Sequence, residues 1–170
     1  MGRSTRSFTA LLLAALVAGV FVFVTSAGLP EIVASHFGAG GAADGFMPRQ
    51  TYRVFMIGVT VGVPLLLVIA GHSVRAVPVG MINLPNRDFW LAPDRRAETI
   101  TYLTTRSSWL GVMVAAFMCY VHWLVLQANR HTPPRLSEDF LFGGLGIFAL
   151  LLVAWAVLFI RHFRRPAGQA

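Results

Sequence analysis

The sequence predicts an all-α integral membrane protein of four helices, and three observations carry that reading. Four apolar runs, at about 8–27, 54–71, 109–126 and 140–160, each approach the ~20 residues that cross a hydrocarbon layer of roughly 30 Å. Charged residues make up only 12% of the 170-residue chain, about half the share of a soluble domain, and they collect between the runs. The arginines are also distributed unevenly among those connecting segments. A water-soluble fold needs a charged surface all round its core, and this clustering denies it one.

The charge pattern orients the chain. All 14 basic residues are arginine, against 7 acidic ones, for a net charge of +7. With the N-terminus inside, the inner segments hold Arg3, Arg6, Arg75, Arg87, Arg95, Arg96, Arg106, Arg161, Arg164 and Arg165. The outer segments hold only Arg49, Arg53, Arg130 and Arg135, balanced by Glu31, Asp44, Glu138 and Asp139. This excess of inside arginine places both termini in the cytoplasm. It also accounts for the basic balance, so no nucleic-acid partner is expected; the expected surroundings are a lipid bilayer. The chain reads as one membrane domain, with outer loops at 28–53 and 127–139 and an inner loop at 72–108.

Taken in order, the first span follows Arg3 and Arg6. Thr25-Ser26-Ala27 has the small residues of a signal-peptide cleavage site, but the apolar run exceeds the 7–15 residues of such a peptide, so a retained helix is expected. The second span contains Gly58 and Gly62, a GxxxG pair that favours close helix packing. Pro64 follows and predicts a kink, because its ring displaces the carbonyl of Thr60. In the inner loop, Asn83, Pro85, Asn86, Arg87, Phe89 and Trp90 combine turn formers with an aromatic pair suited to the headgroup level. From Asp94 to Thr105, apolar Ala97, Ile100 and Leu103 alternate with Arg95, Arg96 and Glu98, predicting a short interfacial helix before the third span. That span carries Trp109, His122 and Trp123. The fourth opens with Gly143, Gly144 and Gly146 and ends in a basic tail.

Chemistry-bearing residues are few. Cys119 is the only cysteine, so neither an internal disulfide nor a CxxC site exists. No span holds an acidic residue, which argues against a carboxylate-driven pump. Ser107 and Ser108 have no paired base, and no catalytic residue, cofactor or nucleotide motif is expected. His122 reads either as a neutral histidine bonded to a neighbouring helix or as a proton relay.

The outer loop from Leu29 to Gln50 is the most distinctive stretch. Leu29-Pro30 ends the first helix, Glu31 to Phe37 can form a short helical turn, and Gly38, Gly40 and Gly41 permit tight reversal before Asp44-Gly45. Three readings stand. The loop is structural, with His36 and Asp44 bonding backbone groups; or it recognises a protein or peptide; or it binds a metal. The last needs Glu31, His131 or Asp139 to join His36 and Asp44.

Leu29-Pro30-Glu31-Ile32, Ser35-His36-Phe37, Gly41 and Asp44-Gly45-Phe46 resemble the signature of a bacterial membrane family catalogued as domain of unknown function 1648. The chain departs from that pattern at Ala34 and at Ala42-Ala43, where prolines are usual, but keeps His36-Phe37 and Asp44-Gly45. The stretch from Asn83 to Arg95 resembles a second segment of related proteins, so the likeness covers roughly 9–106. The best-understood relatives include immunity proteins against a secreted sporulation-delay killing peptide. The resemblance therefore implies an outer loop that senses or blocks a peptide and a cytoplasmic surface, at the inner loop, that holds a protein partner. A non-enzymatic sensing, immunity or accessory role follows, with a small transporter or transporter subunit (Pro64, Gly58 and Gly62, His122) and a metal-binding protein as alternatives.

The topology is checked by reporter fusion. Alkaline phosphatase fused after residue 50 is expected to be active, and fused after residue 106 or 170 inactive; activity at 170 reverses the assignment.

Overall fold

The computed structural model describes residues 2–164, so Arg165 of the basic tail lies outside the described residues. Helix α1 spans Arg3–Thr25, strands β1 and β2 span Ile32–Phe37 and Ala43–Pro48, and α2 spans Arg49–Ser73. A single-turn helix α3, Arg87–Trp90, precedes α4, Arg96–Ala128, and α5, Glu138–His162. The four long helices are each long and apolar enough to cross a membrane, and the protein is a multi-pass membrane protein. Their faces confirm the inverted pattern expected in lipid: Leu13, Leu16, Val17, Leu66, Ile69, Ile147 and Leu150 are all exposed. An apolar surface of that extent would be an aggregation site in water.

Two elements differ from the sequence expectation. The interfacial helix expected over 94–105 is not separate, because Arg96–Ala128 is one helix of 33 residues. That stretch contains no proline and only Gly111, so nothing interrupts its backbone ladder. The short helix before the third span is α3 instead. The second difference is the outer loop, where residues expected to turn helically form β1. Ile32 and Val33 are β-branched, and the pairing of Ile32 with Pro48 through Phe37 with Ala43 supplies partners that an isolated helical turn lacks.

Helices α1, α2 and α4 form the packed core, and α5 lies along α4 with no buried residue of its own. Helix α5 is set by its ends. Ser137 caps its first turn by accepting from the Phe140 amide at 3.5 Å, Glu138 and Asp139 occupy that turn, and Arg161 and His162 occupy the last. On α2 the buried residues are Tyr52, Met56, Thr60, Pro64 and Val68, a stripe of four-residue spacing. Pro64 is therefore a packing residue inside a helix that continues to Ser73.

The GxxxG expectation is corrected by the same stripe. Gly58 and Gly62 lie two residues off it, about 200° round the helix, and a Cβ on either would meet nothing within 4 Å. The close helix approach occurs elsewhere. A Cβ on Gly111 would stand 2.8 Å from Leu11 Cδ1 and 3.2 Å from the Pro64 carbonyl oxygen, one on Gly71 would overlap Ser107, and one on Gly144 would overlap the Tyr120 ring. We expect Gly111→Val to destabilise the protein by about 1–3 kcal/mol, the usual cost of overpacking. Gly58→Ala and Gly62→Ala should not lower the melting temperature in detergent, since the added methyl meets nothing and alanine favours the helix.

Candidate functional site: a hairpin clasped over the helix bundle

The hairpin begins where α1 ends. Leu29 is buried, and Arg49 Nη1 donates to the Leu29 carbonyl at 2.8 Å and to that of Ala27 at 3.2 Å, closing the base of the loop. The Arg49 amide donates to the Glu31 carbonyl at 2.8 Å, and Arg53 Nε donates to Ser26 Oγ at 2.9 Å. Pro30 follows Leu29 at the turn out of the helix. Between the strands, residues 38–42 reverse the chain, with Gly40 at φ +81° and Gly41 at φ +77°, angles that suit glycine. Gly41 has a second constraint, since a Cβ there would overlap the Leu136 carbonyl.

Two clasps join this hairpin to segments about a hundred residues away. Asn129, at the end of α4, behaves as a third strand. Its Oδ1 accepts from the Ala34 amide and its Nδ2 donates to the Ala34 carbonyl, both at 2.9 Å. The second outer loop then pairs with the turn. The Leu136 amide donates to the Gly41 carbonyl at 2.8 Å, Arg135 Nε to the Gly40 carbonyl at 3.2 Å, and the Gly40 amide to Glu138 Oε1 at 2.8 Å. The two loops at this end of the bundle are thus one folded cap.

Beneath the cap sits His122, fully buried. Its Nε2 lies 2.8 Å from Thr25 Oγ1 on α1, and its Nδ1 lies 2.8 Å from the Tyr52 hydroxyl on α2. Thr25 already donates its only hydroxyl proton to the Phe21 carbonyl at 2.6 Å. It must therefore accept from His122 Nε2–H, which leaves Nδ1 to accept from Tyr52. One neutral tautomer satisfies all three groups and ties α1, α2 and α4 together. Tyr52 carries this junction into an apolar cluster with Val22, Leu29, Val33, Met56 and Val125, against which Phe37 packs.

On the outside of the cap, His36 Nδ1 and Asp44 Oδ1 meet at 2.5 Å, so the two residues bond each other instead of capping backbone groups as the structural reading expected. Glycines make room for the pair. A Cβ on Gly45 would come within 2.8 Å of His36 Cβ, and one on Gly38 within 2.9 Å of Asp44 Oδ2. The two side chains remain 76% and 53% exposed. Among the described residues, no third His, Cys, Asp or Glu joins them as a metal-ligating group.

The inner segment forms a different device. Asn86 adopts φ +52°, and its Nδ2 donates to the Phe163 carbonyl at 2.9 Å, while Trp90 Nε1 donates to the same oxygen at 3.1 Å. Phe163 is fully buried in a cluster with Ile82, Leu84, Leu91 and Leu103. Arg87 reaches the Gly80 carbonyl at 3.0 Å, and the Arg95 guanidinium lies 4.1 Å from the centre of the Phe89 ring. Asn83 and Pro85 are exposed. This stretch is a latch on the end of α5, and it does not meet the hairpin. Sequence reasoning missed Asn129, Arg135, Glu138, Tyr52 and Phe163, which carry no local motif and matter only through partners far along the chain.

Residues 10–61 match the family model described as Domain of unknown function (DUF1648). The matched segment runs from within α1 through the whole hairpin to the middle of α2, so the inner stretch from Asn83 to Arg95 lies outside it. No curated protein and no solved structure matches the chain.

Removing the Asn129 clasp leaves both backbone groups of Ala34 without that partner. Asn129→Ala is expected to cost about 1–3 kcal/mol and to speed amide exchange selectively over residues 31–48. Uniform exchange across the bundle would show that the clasp holds more than the hairpin.

Proposed function

We propose that this is a non-enzymatic protein of the bacterial inner membrane, with both termini cytoplasmic, whose outer hairpin recognises a protein or peptide in a sensing, immunity or accessory role. The observation that carries the reading is a backbone held to the bundle at β1 and at its turn, with β2 paired to β1, while His36 and Asp44 stay exposed on it. A surface already ordered before binding loses little further conformational entropy, and that raises affinity for a given set of contacts. Ile32 and Phe46 are also exposed on the hairpin, which supplies apolar area beside the His36–Asp44 pair. Apolar anchors with polar neighbours are the usual make-up of a recognition surface. The likeness of residues 10–61 to the family model supports the hairpin as the defining part of the chain.

The transporter alternative drew on Pro64, the glycine pair and His122. Pro64 is buried where Gly111 approaches it, and His122 has both nitrogens bonded within the bundle, so recognition is the better supported reading. A cytoplasmic partner at the inner loop would meet Asn83, Pro85, Asn86 and Asp88, which are exposed in that segment.

The test is affinity capture from native membranes with wild type, His36→Ala and Asp44→Ala. Both variants should lose the same specific partner by about tenfold, the equivalent of about 1.4 kcal/mol, with unchanged melting temperature. A partner retained by both, together with a lowered melting temperature, would assign the pair a purely structural role.

A further inference from the structure

At the end of the bundle opposite the hairpin, a cavity of about 460 Å³ opens between the start of α1, the start of α4 and the end of α5. Arg3, Arg95, Glu98, Thr105, Tyr102 and His162 are among the residues that line it. Helix α4 explains its depth in the membrane. At 1.5 Å per residue its 33 residues reach about 50 Å, some 20 Å more than the hydrocarbon layer, so its first turns stand at headgroup level.

Two features of the lining are unsatisfied. Arg3 has no ion pair or hydrogen bond among the described residues, whereas Arg95 is engaged with Asp94 at 3.5 Å and with the Phe89 ring. Thr105 Oγ1 is buried without a hydrogen-bond partner. A helical threonine ordinarily donates to the carbonyl four residues back, as Thr101 does to Ala97 at 2.9 Å. The carbonyl that Thr105 would use, that of Thr101, accepts from Thr104 at 3.1 Å instead. Arg3 and a threonine whose buried hydroxyl lacks a partner therefore line the same space, next to a wall of Tyr102 and His162 stacked at 3.6 Å.

We propose that this cavity binds the headgroup of an anionic phospholipid, with Arg3 and Thr105 meeting the phosphodiester. The guanidinium supplies charge and paired donors to phosphate oxygens, and the Thr105 hydroxyl supplies one more donor. Two arginines against Glu98 leave the lining with a net positive formal charge, which selects a headgroup of net negative charge. Glu98 accepts from hydroxyl groups beyond the phosphate, as in a glycerol headgroup. The leaflet concerned rests on the orientation proposed above; the binding itself does not depend on that orientation or on the hairpin.

Native mass spectrometry of the full chain in neutral detergent, with equal amounts of phosphatidylglycerol and phosphatidylcholine, tests the site. Wild type and His36→Ala should retain phosphatidylglycerol at least about fivefold over phosphatidylcholine, the scale of one arginine's attraction to an anionic headgroup. Arg3→Gln should abolish that preference, and Thr105→Val should weaken retention without altering the lipid-free melting temperature. Arg130→Gln, in the loop at the opposite end, should change nothing. Equal retention of both lipids by wild type overturns the proposal, as does wild-type selectivity in Arg3→Gln. Stabilisation by inorganic phosphate alone, with no further gain from phosphatidylglycerol, would assign a soluble anion and exclude the lipid.

Discussion

His122 is a polar ring enclosed by apolar helices, and in such surroundings an unpaired nitrogen would cost on the order of several kcal/mol. Its two bonds are therefore obligations that fix the positions of Thr25 on α1 and Tyr52 on α2 relative to α4. Because Thr25 is the last residue of α1, the same contact sets where the chain leaves the bundle. Tyr52 lies one turn into α2 and sets where it returns. The hairpin between them has its two ends placed by one side chain from a third helix, and the cluster of Val22, Leu29, Val33 and Val125 packs against that arrangement.

The cap and the latch solve the same problem at opposite ends. Helix ends and hairpin edges carry backbone groups that must be paired near a membrane just as in a core. Asn129 pairs the edge of β1 with a side-chain amide that mimics a strand, and Asn86 with Trp90 pairs the carbonyl at the end of α5. Helix α5 illustrates why such ends matter. Lipid tails are as apolar as its side chains, so no hydrophobic force drives it onto α4. It is held by Tyr120 donating to the Phe140 carbonyl at 2.5 Å near one end, by the Phe163 latch at the other, and by stacking of Phe117 on Phe148 between them.

This arrangement separates rigidity from exposure on the cap. The inward groups of the hairpin, Val33, Ala34 and Gly41, are consumed by packing and backbone pairing. The outward pair, His36 and Asp44, is constrained only by each other and by the glycines beside them. The glycines noted in the sequence thus have two distinct uses. Gly40 and Gly41 supply a backbone shape, while Gly38 and Gly45 leave space for side chains.

By itself the sequence determined the four apolar helices, the loops between them and the concentration of distinctive residues at 29–46. Those are consequences of local hydropathy and composition, which each segment carries within its own residues. For His122 it left two readings open, a histidine bonded to a neighbouring helix and a proton relay, and only the packing of α1 and α2 against α4 supplied its two partners. Only the tertiary structure decided that Ile32–Phe37 is a strand, because its pairing needs Asn129 and the returning β2. Only the tertiary structure showed that Gly58 and Gly62 face away from the core while Gly111 and Gly71 meet it, since a glycine spacing does not say which face is covered. Thr25 and His122 are 97 residues apart, Ala34 and Asn129 are 95, and Gly40 and Glu138 are 98. No local pattern encodes such pairs; they exist because helices that cross the membrane bring distant chain ends to the same surface, where each buried polar group takes the nearest partner the packing offers.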